Sequence, residues 1–194
     1  MANNLLKLYY YDIRGRAEII RLILAAANRR YNDVRQIPVL EFADNTQLTQ
    51  SLSIARYLAK EIGLGGTDNL ESARMDGVVD TQRDMNEMFY SLIDFEKQDF
   101  KNMNDVKKFI DEYLANHCKN LAKLKQAYSK NDKYFVGDKL SWADLFIYNS
   151  IHDLFRFLPQ IENKFDNQFQ ELFDSIHNHK NLKKYLDERP HTAY

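Results

Sequence analysis

The sequence predicts a small α/β domain over its first third, joined to an all-α domain. Three observations carry this division. A strand, loop and helix are followed by a hairpin pattern, reaching about residue 62. A glycine-containing link, Gly63 to Gly66, comes next. From residue 67 to residue 194, apolar residues recur at helical spacing. At 194 residues, the chain can hold one large domain or two small ones sharing an interface.

The run LLKLYYY, Leu5 to Tyr11, is aliphatic and aromatic with one lysine, which suits a strand buried on most of its surface. Asp12 to Gly15 interrupts it. RAEIIRLILAAA then places Ile19, Ile20, Ile23, Leu24 and Ala27 on an apolar helix face, with Glu18 and Arg21 expected at the solvent. Tyr31 to Arg35, Ile37 to Phe42 and Gln47 to Thr49 read as three strands, the last two joined by the polar turn Ala43 to Thr46. Ser51 is expected to cap the helix SLSIARYLAKEIG, in which Leu52, Ala55, Leu58 and Ala59 form the apolar face and Gly63 ends it.

Beyond the link, everything reads as helix. Met75, Val78, Gln82, Met85, Phe89 and Leu92 follow steps of three and four along one long helix. Phe109, Tyr113, Leu121, Leu124 and Tyr128 mark a second. In VGDKLSWADLFIYNSI, Ser141 and Asp144 are spaced as a cap and an acidic side chain reaching back to it. Two further helices, Phe165 to His177 and Leu182 to Asp187, complete the pattern.

Composition excludes several function classes. With 27 basic and 28 acidic side chains, the net charge of -1 supplies no field for a nucleic-acid backbone or an anionic membrane. The most apolar stretch, Ile19 to Ala27, is short and holds Arg21, so no membrane span is expected. The N-terminus MANNLLKLYY lacks the features of a secretory signal, which points to the cytoplasm. Cys118 is the single cysteine and reads as a packed thiol. Five scattered histidines and one cysteine do not make a zinc centre, and no metal is expected. Gly15 stands alone where a phosphate loop needs two or three glycines, and no GxSxG elbow occurs.

What remains is Tyr10 and Tyr11 at a strand end, then Arg14, Gly15 and Arg16 leading into a helix. A strand end beside a helix N-terminus suits anion chemistry. Tyrosine there can donate a hydrogen bond, and arginine can stabilise negative charge without titrating. On spacing alone, a pair alternating between core and surface is the better explanation of Tyr10 and Tyr11.

Three runs together, YYYDIRGRAEIIRLILAAA, QIPVLEFADNTQLTQSLSIARYLAKEIGL and VGDKLSWADL, resemble the sigma class of cytosolic glutathione transferases. The resemblance implies the glutathione transferase fold, a thioredoxin-like domain over residues 1–62 and a helical domain over 67–194 that contributes the electrophile site. It implies glutathione as co-substrate, small hydrophobic electrophiles as acceptors and a homodimer, with no metal, nucleic acid or membrane involved. By the same likeness, Tyr10 matches the catalytic tyrosine and Arg16 the arginine supporting the thiolate. Gln36, Ile37, Pro38, Gln50 and Ser51 match the glutathione cradle, and Asp84 reaches the neighbouring subunit's glutathione. The electrophile is expected against Tyr11, Ile13, Phe146 and Tyr194. General conjugation, lipid peroxide reduction and prostaglandin isomerisation stay open, as does a non-catalytic relative such as a lens protein or a carrier of apolar ligands.

Two departures from the family pattern stand out. Prostaglandin D synthases of this class hold a divalent cation on an aspartate cluster, but here Arg83 lies between Asp80 and Asp84. Arg35 also runs directly into Gln36, where the family has a helix and loop with a tryptophan and a lysine for the glycine end of glutathione. The resembled fold implies that strands ending at Arg35 and starting at Ile37 lie on opposite sides of the first strand, ~9.5 Å apart. One peptide covers only ~3.8 Å, so residues are expected to be missing between Arg35 and Gln36.

Overall fold

The computed structural model describes residues 6–34, 38–97, 99–164 and 169–190. Its N-terminal part is built from β1 (Leu6–Tyr9), α1 (Glu18–Ala26), β2 (Tyr31–Val34), β3 (Val39–Glu41), β4 (Gln47–Thr49) and α2 (Ser51–Glu61). The sheet order is β2-β1-β3-β4, with β1 parallel to β2 and antiparallel to β3. A parallel pair needs a crossover, and α1 supplies it. Leu8 faces Leu40 in register, and both are fully buried. Ile20, Leu22 and Ile23 of α1 and Ile54, Ala55 and Ala59 of α2 join them in one core.

The strands on either side of the Arg35–Gln36 junction are described. Tyr9 pairs with Val34 on one side and Val39 on the other, so those two residues stand two strand spacings apart. That is ~9.5 Å. Five peptide steps connect them, with a reach of ~17 Å. That reach exceeds the span between the strands, and the gap expected between Arg35 and Gln36 falls on residues outside the described ones. β3 starts at Val39, two residues later than expected. Arg35, Gln36 and Ile37 themselves lie outside the described residues.

The rest of the chain is mainly helical: α3 (Asn69–Ser91), α4 (Met103–Lys108), α5 (Ala115–Tyr128), α6 (Trp142–Phe157), α7 (Gln170–Asn178) and α8 (Lys180–Glu188). The capping box of α6 forms as its spacing predicts, with Asp144 accepting from the Ser141 amide at 2.8 Å and its hydroxyl at 2.6 Å. Asp144 also accepts from the Phe135 amide at 2.8 Å. Burial nevertheless pushes its carboxyl up to about 6.

Two details depart from a simple bundle. A short hairpin, β5 (Ile93–Asp94) with β6 (Asp99–Phe100), follows α3 where only helix was expected. Between α4 and α5 the backbone makes a π-helical turn over Phe109–Leu114. The wider turn takes up one extra residue, so Leu114 enters the core and Tyr113, expected there, is 43% exposed.

A polar chain crosses the helical part. His117 of α5 bonds Gln82 of α3 at 2.9 Å, Gln82 donates to Asn86 at 2.9 Å, and Asn86 donates to Ser150 of α6 at 2.8 Å. Burial pushes His117 down to about 4, and it does the same to His152 on α6. Between pH ~6.5 and ~4 the unfolded chain therefore binds protons at these histidines while the folded chain does not, and stability falls as pH falls through that window. Asp144, raised rather than lowered, opposes part of this loss. The expected net result is a lower urea midpoint at pH 5 than at pH 7, with a flatter profile in His117→Gln. A midpoint independent of pH would contradict it.

Candidate active site

Tyr10 follows β1 directly, and its ring enters the main core at 9% exposure. Its hydroxyl oxygen accepts the Arg16 amide hydrogen at 3.0 Å. That amide belongs to a 3-10 turn, Gly15–Ala17, which leads into α1. It is therefore one of the free donors at a helix start. Because the oxygen accepts this bond, the phenolic hydrogen is left to donate to an incoming group. Gly15 permits the approach. Its φ is +41°, and a Cβ added there would lie 2.6 Å from the Tyr10 hydroxyl oxygen.

The resemblance gave Arg16 a side-chain role. In the structure its side chain is exposed, and the atom that meets Tyr10 is the backbone nitrogen. Tyr11, 56% exposed, sets its ring edge-on to Tyr10 with centroids 5.8 Å apart. Ile13 packs half-buried against the core cluster that also holds Tyr10 and Phe146. Of the four expected electrophile residues, Tyr11 touches Tyr10, Ile13 and Phe146 belong to or pack against the same extended core, and Tyr194 lies outside the described residues.

Gln50 occupies the cap position of α2, its carbonyl accepting from the Ile54 amide at 2.9 Å. Its backbone is unusual for a residue with a side chain, at φ 71° and ψ 116°. Ser51 is consequently the first helical residue and not the cap. The cap role expected of it is corrected, and no capping energy should be lost in Ser51→Ala. Its amide is still one of the free donors of the helix N-terminus. Pro38 is half-buried, whereas Gln36 and Ile37 lie outside the described residues. Asp84 is exposed on α3, and Arg83 sits 3.4 Å from Asp80, 4.0 Å from Asp84 and 3.8 Å from Glu87. A guanidinium therefore occupies the carboxylates that a cation would need.

Residues that sequence reasoning assigned to solvent turn out to matter here. Glu18 is 1% and Arg21 8% exposed. Glu18 accepts from Arg189 at 2.6 Å and from Tyr185 at 3.0 Å, both near the C-terminal end of the chain. Burial, and after it the negative Glu18, drive the Tyr185 phenol far above its ordinary range. Arg14 is also buried, and burial beside the positive Arg189 and Arg156 lowers its pKa. Nearby, Asp153 of α6 accepts from Tyr90 at 3.4 Å and from Arg156 at 3.2 Å. No sequence signal distinguished these charges from ordinary surface ones.

Comparison with known proteins fits this geometry. Residues 83–189 match the family described as Glutathione S-transferase, C-terminal domain. Hematopoietic prostaglandin D synthase of Gallus gallus is 31% identical over 203 residues, covering 96% of this chain and 98% of the relative. Glutathione S-transferase 4 of Caenorhabditis elegans is 33% identical over 208 residues, covering 94% and 96%. S-crystallin 4 of Enteroctopus dofleini is 26% identical over 218 residues, covering 96% and 98%. Among solved structures, the sigma class transferase of Fasciola hepatica superposes with a TM-score of 0.85 at 20% identity, covering 98% of this chain and 99% of that one. With its C-terminal half matched by the family's own pattern, and relatives above 30% identity spanning nearly its whole length, this chain belongs to the glutathione S-transferase family.

Proposed function

We propose that the protein is a sigma-class transferase in which the Tyr10 hydroxyl donates a hydrogen bond to the sulfur of glutathione and holds it as the thiolate. The thiolate attacks an electrophilic carbon, forming a C–S bond while the leaving group departs with the bonding pair. The observation that carries this reading is the Arg16 amide donating to Tyr10 at 3.0 Å, which directs the phenolic hydrogen away from the protein backbone. A free thiol with pKa ~8.5 is only ~3% ionised at pH 7, and a two-unit fall makes the thiolate roughly three quarters populated. The deciding experiment is conjugation of a chloro-nitro-aromatic electrophile, with release of chloride, in wild type and Tyr10→Phe. No turnover by the wild type would favour a non-catalytic protein, a reading that the likeness to an S-crystallin keeps as the alternative.

Within this reading, Gln50 and Ser51 hold the γ-glutamyl carboxylate at the start of α2, where free amides and the helix dipole favour an anion. Gln36, Ile37 and Pro38 complete the cradle. A side-chain-bearing residue at φ 71° stores ~1–3 kcal/mol of strain, and such strain concentrates at ligand sites. Gln50→Gly is therefore expected to raise stability while weakening glutathione binding several-fold. Equal affinity in the variant, measured by calorimetry, would displace Gln50 from the cradle.

The electrophile lies against Tyr11, Ile13 and Phe146, with Tyr194 closing the far side. Conjugation, peroxide reduction and prostaglandin isomerisation all start from the same thiolate. We also read the molecule as a homodimer in which Asp84 of each subunit approaches the other's glutathione, since its side chain is exposed beside a buried helix stripe. Sedimentation should give a dimer at micromolar concentration, and a monomer would end this part of the reading.

A further inference from the structure

We infer that Arg21 is a positioning residue for Tyr10, setting the thiol's acidity from a buried site behind the loop; the inference rests on Tyr10 being the thiol activator. The loop from Tyr11 to Arg14 joins the Tyr10 ring to the Gly15–Arg16 turn whose amide orients its hydroxyl, and it has no regular ladder of its own. Its carbonyls need partners. Arg21 supplies them: Nη1 donates to the Ile13 carbonyl at 2.9 Å and the Arg14 carbonyl at 3.3 Å, and Nη2 donates to the Tyr11 carbonyl at 3.4 Å.

The guanidinium is itself fixed from the other side. Nε donates to Asp33 of β2 at 2.7 Å, and the Glu18 carboxylate lies 3.7 Å from Nη1. The guanidinium carbon also stands 5.8 Å from the centre of the Tyr10 ring. One planar fork therefore ties sheet, helix and loop together around the tyrosine. A lysine would keep the charge, but its single ammonium cannot bond Asp33 and three carbonyls in these directions. Loosening the loop would let the Arg16 amide move relative to the Tyr10 oxygen, whose own hydrogen bond to sulfur would weaken.

The test is an ultraviolet titration of enzyme-bound glutathione thiolate in wild type, Arg21→Lys and Tyr10→Phe, together with kcat/KM at pH 6.5 and glutathione affinity. Arg21→Lys should raise the bound thiol's pKa by about one unit and lower kcat/KM about fivefold, with affinity within about threefold of wild type. A purely structural arginine would lower the melting temperature and leave the thiol's pKa unmoved. That outcome overturns the inference when Tyr10→Phe still shifts the pKa. If Tyr10→Phe shifts nothing, the reading beneath it fails and the inference falls with it. Should Arg21→Lys not fold, Asp33→Asn decides, because it keeps the guanidinium and weakens its anchor. A smaller rise in the same direction supports the inference, and an unchanged pKa overturns it.

Discussion

Replacing Tyr10 with phenylalanine is expected to slow conjugation about 25-fold at pH 7 and by less than twofold at pH 9. The first figure is the ratio of thiolate populations for pKa values two units apart, and the second follows because both forms are largely ionised at high pH. Such a shift corresponds to about 2.7 kcal/mol of differential stabilisation of the charged form. Glutathione affinity should hardly change, since the hydroxyl acts on the sulfur while the peptide's other polar groups supply most of the binding. The lost hydroxyl leaves the Arg16 amide without its acceptor, but Arg16 is exposed and water can take that place. A defect of the same size at pH 7 and pH 9 would mean that the hydroxyl does something other than lower the thiol's pKa.

Gly15→Ala should be more damaging at pH 7 than the loss of the hydroxyl, although it removes no chemical group. At φ +41° a side-chain-bearing residue is strained by ~1–3 kcal/mol. Its methyl would also fall 2.6 Å from the hydroxyl oxygen and 3.1 Å from a ring carbon of Tyr10. The tyrosine must then move, and a displacement of ~1 Å at a reacting group can cost ~100-fold in rate. The expected variant is folded, melts several degrees lower and conjugates about 100-fold more slowly, with near-normal glutathione affinity. Wild-type turnover would show that the tyrosine tolerates the shift, and the geometry around its hydroxyl would lose its importance.

Much of this site was legible because it is local. Tyr10, Gly15 and Arg16 lie within seven consecutive residues, and a strand end running into a helix start places them together whatever the rest of the chain does. Even here the details differed. The Arg16 amide, which periodicity did not single out, meets Tyr10, and Ser51 yields the cap position to a strained Gln50.

By itself the sequence determined the elements whose cause lies within a few residues. Helical and alternating periodicity placed α1, α3 and the sheet, and the spacing of Ser141 and Asp144 fixed the start of α6. Only the tertiary structure decided the fate of Glu18 and Arg21. On an isolated helix charged residues belong at the solvent, but α8 and the arginine just beyond it bring Tyr185 and Arg189 onto Glu18 from 167 and 171 residues away. The loop before α1 and Asp33 close around Arg21. The π turn that exchanged Tyr113 for Leu114 was decided in the same way. Burial of a charge depends on which distant groups arrive to satisfy it, and periodicity along one helix carries no record of them.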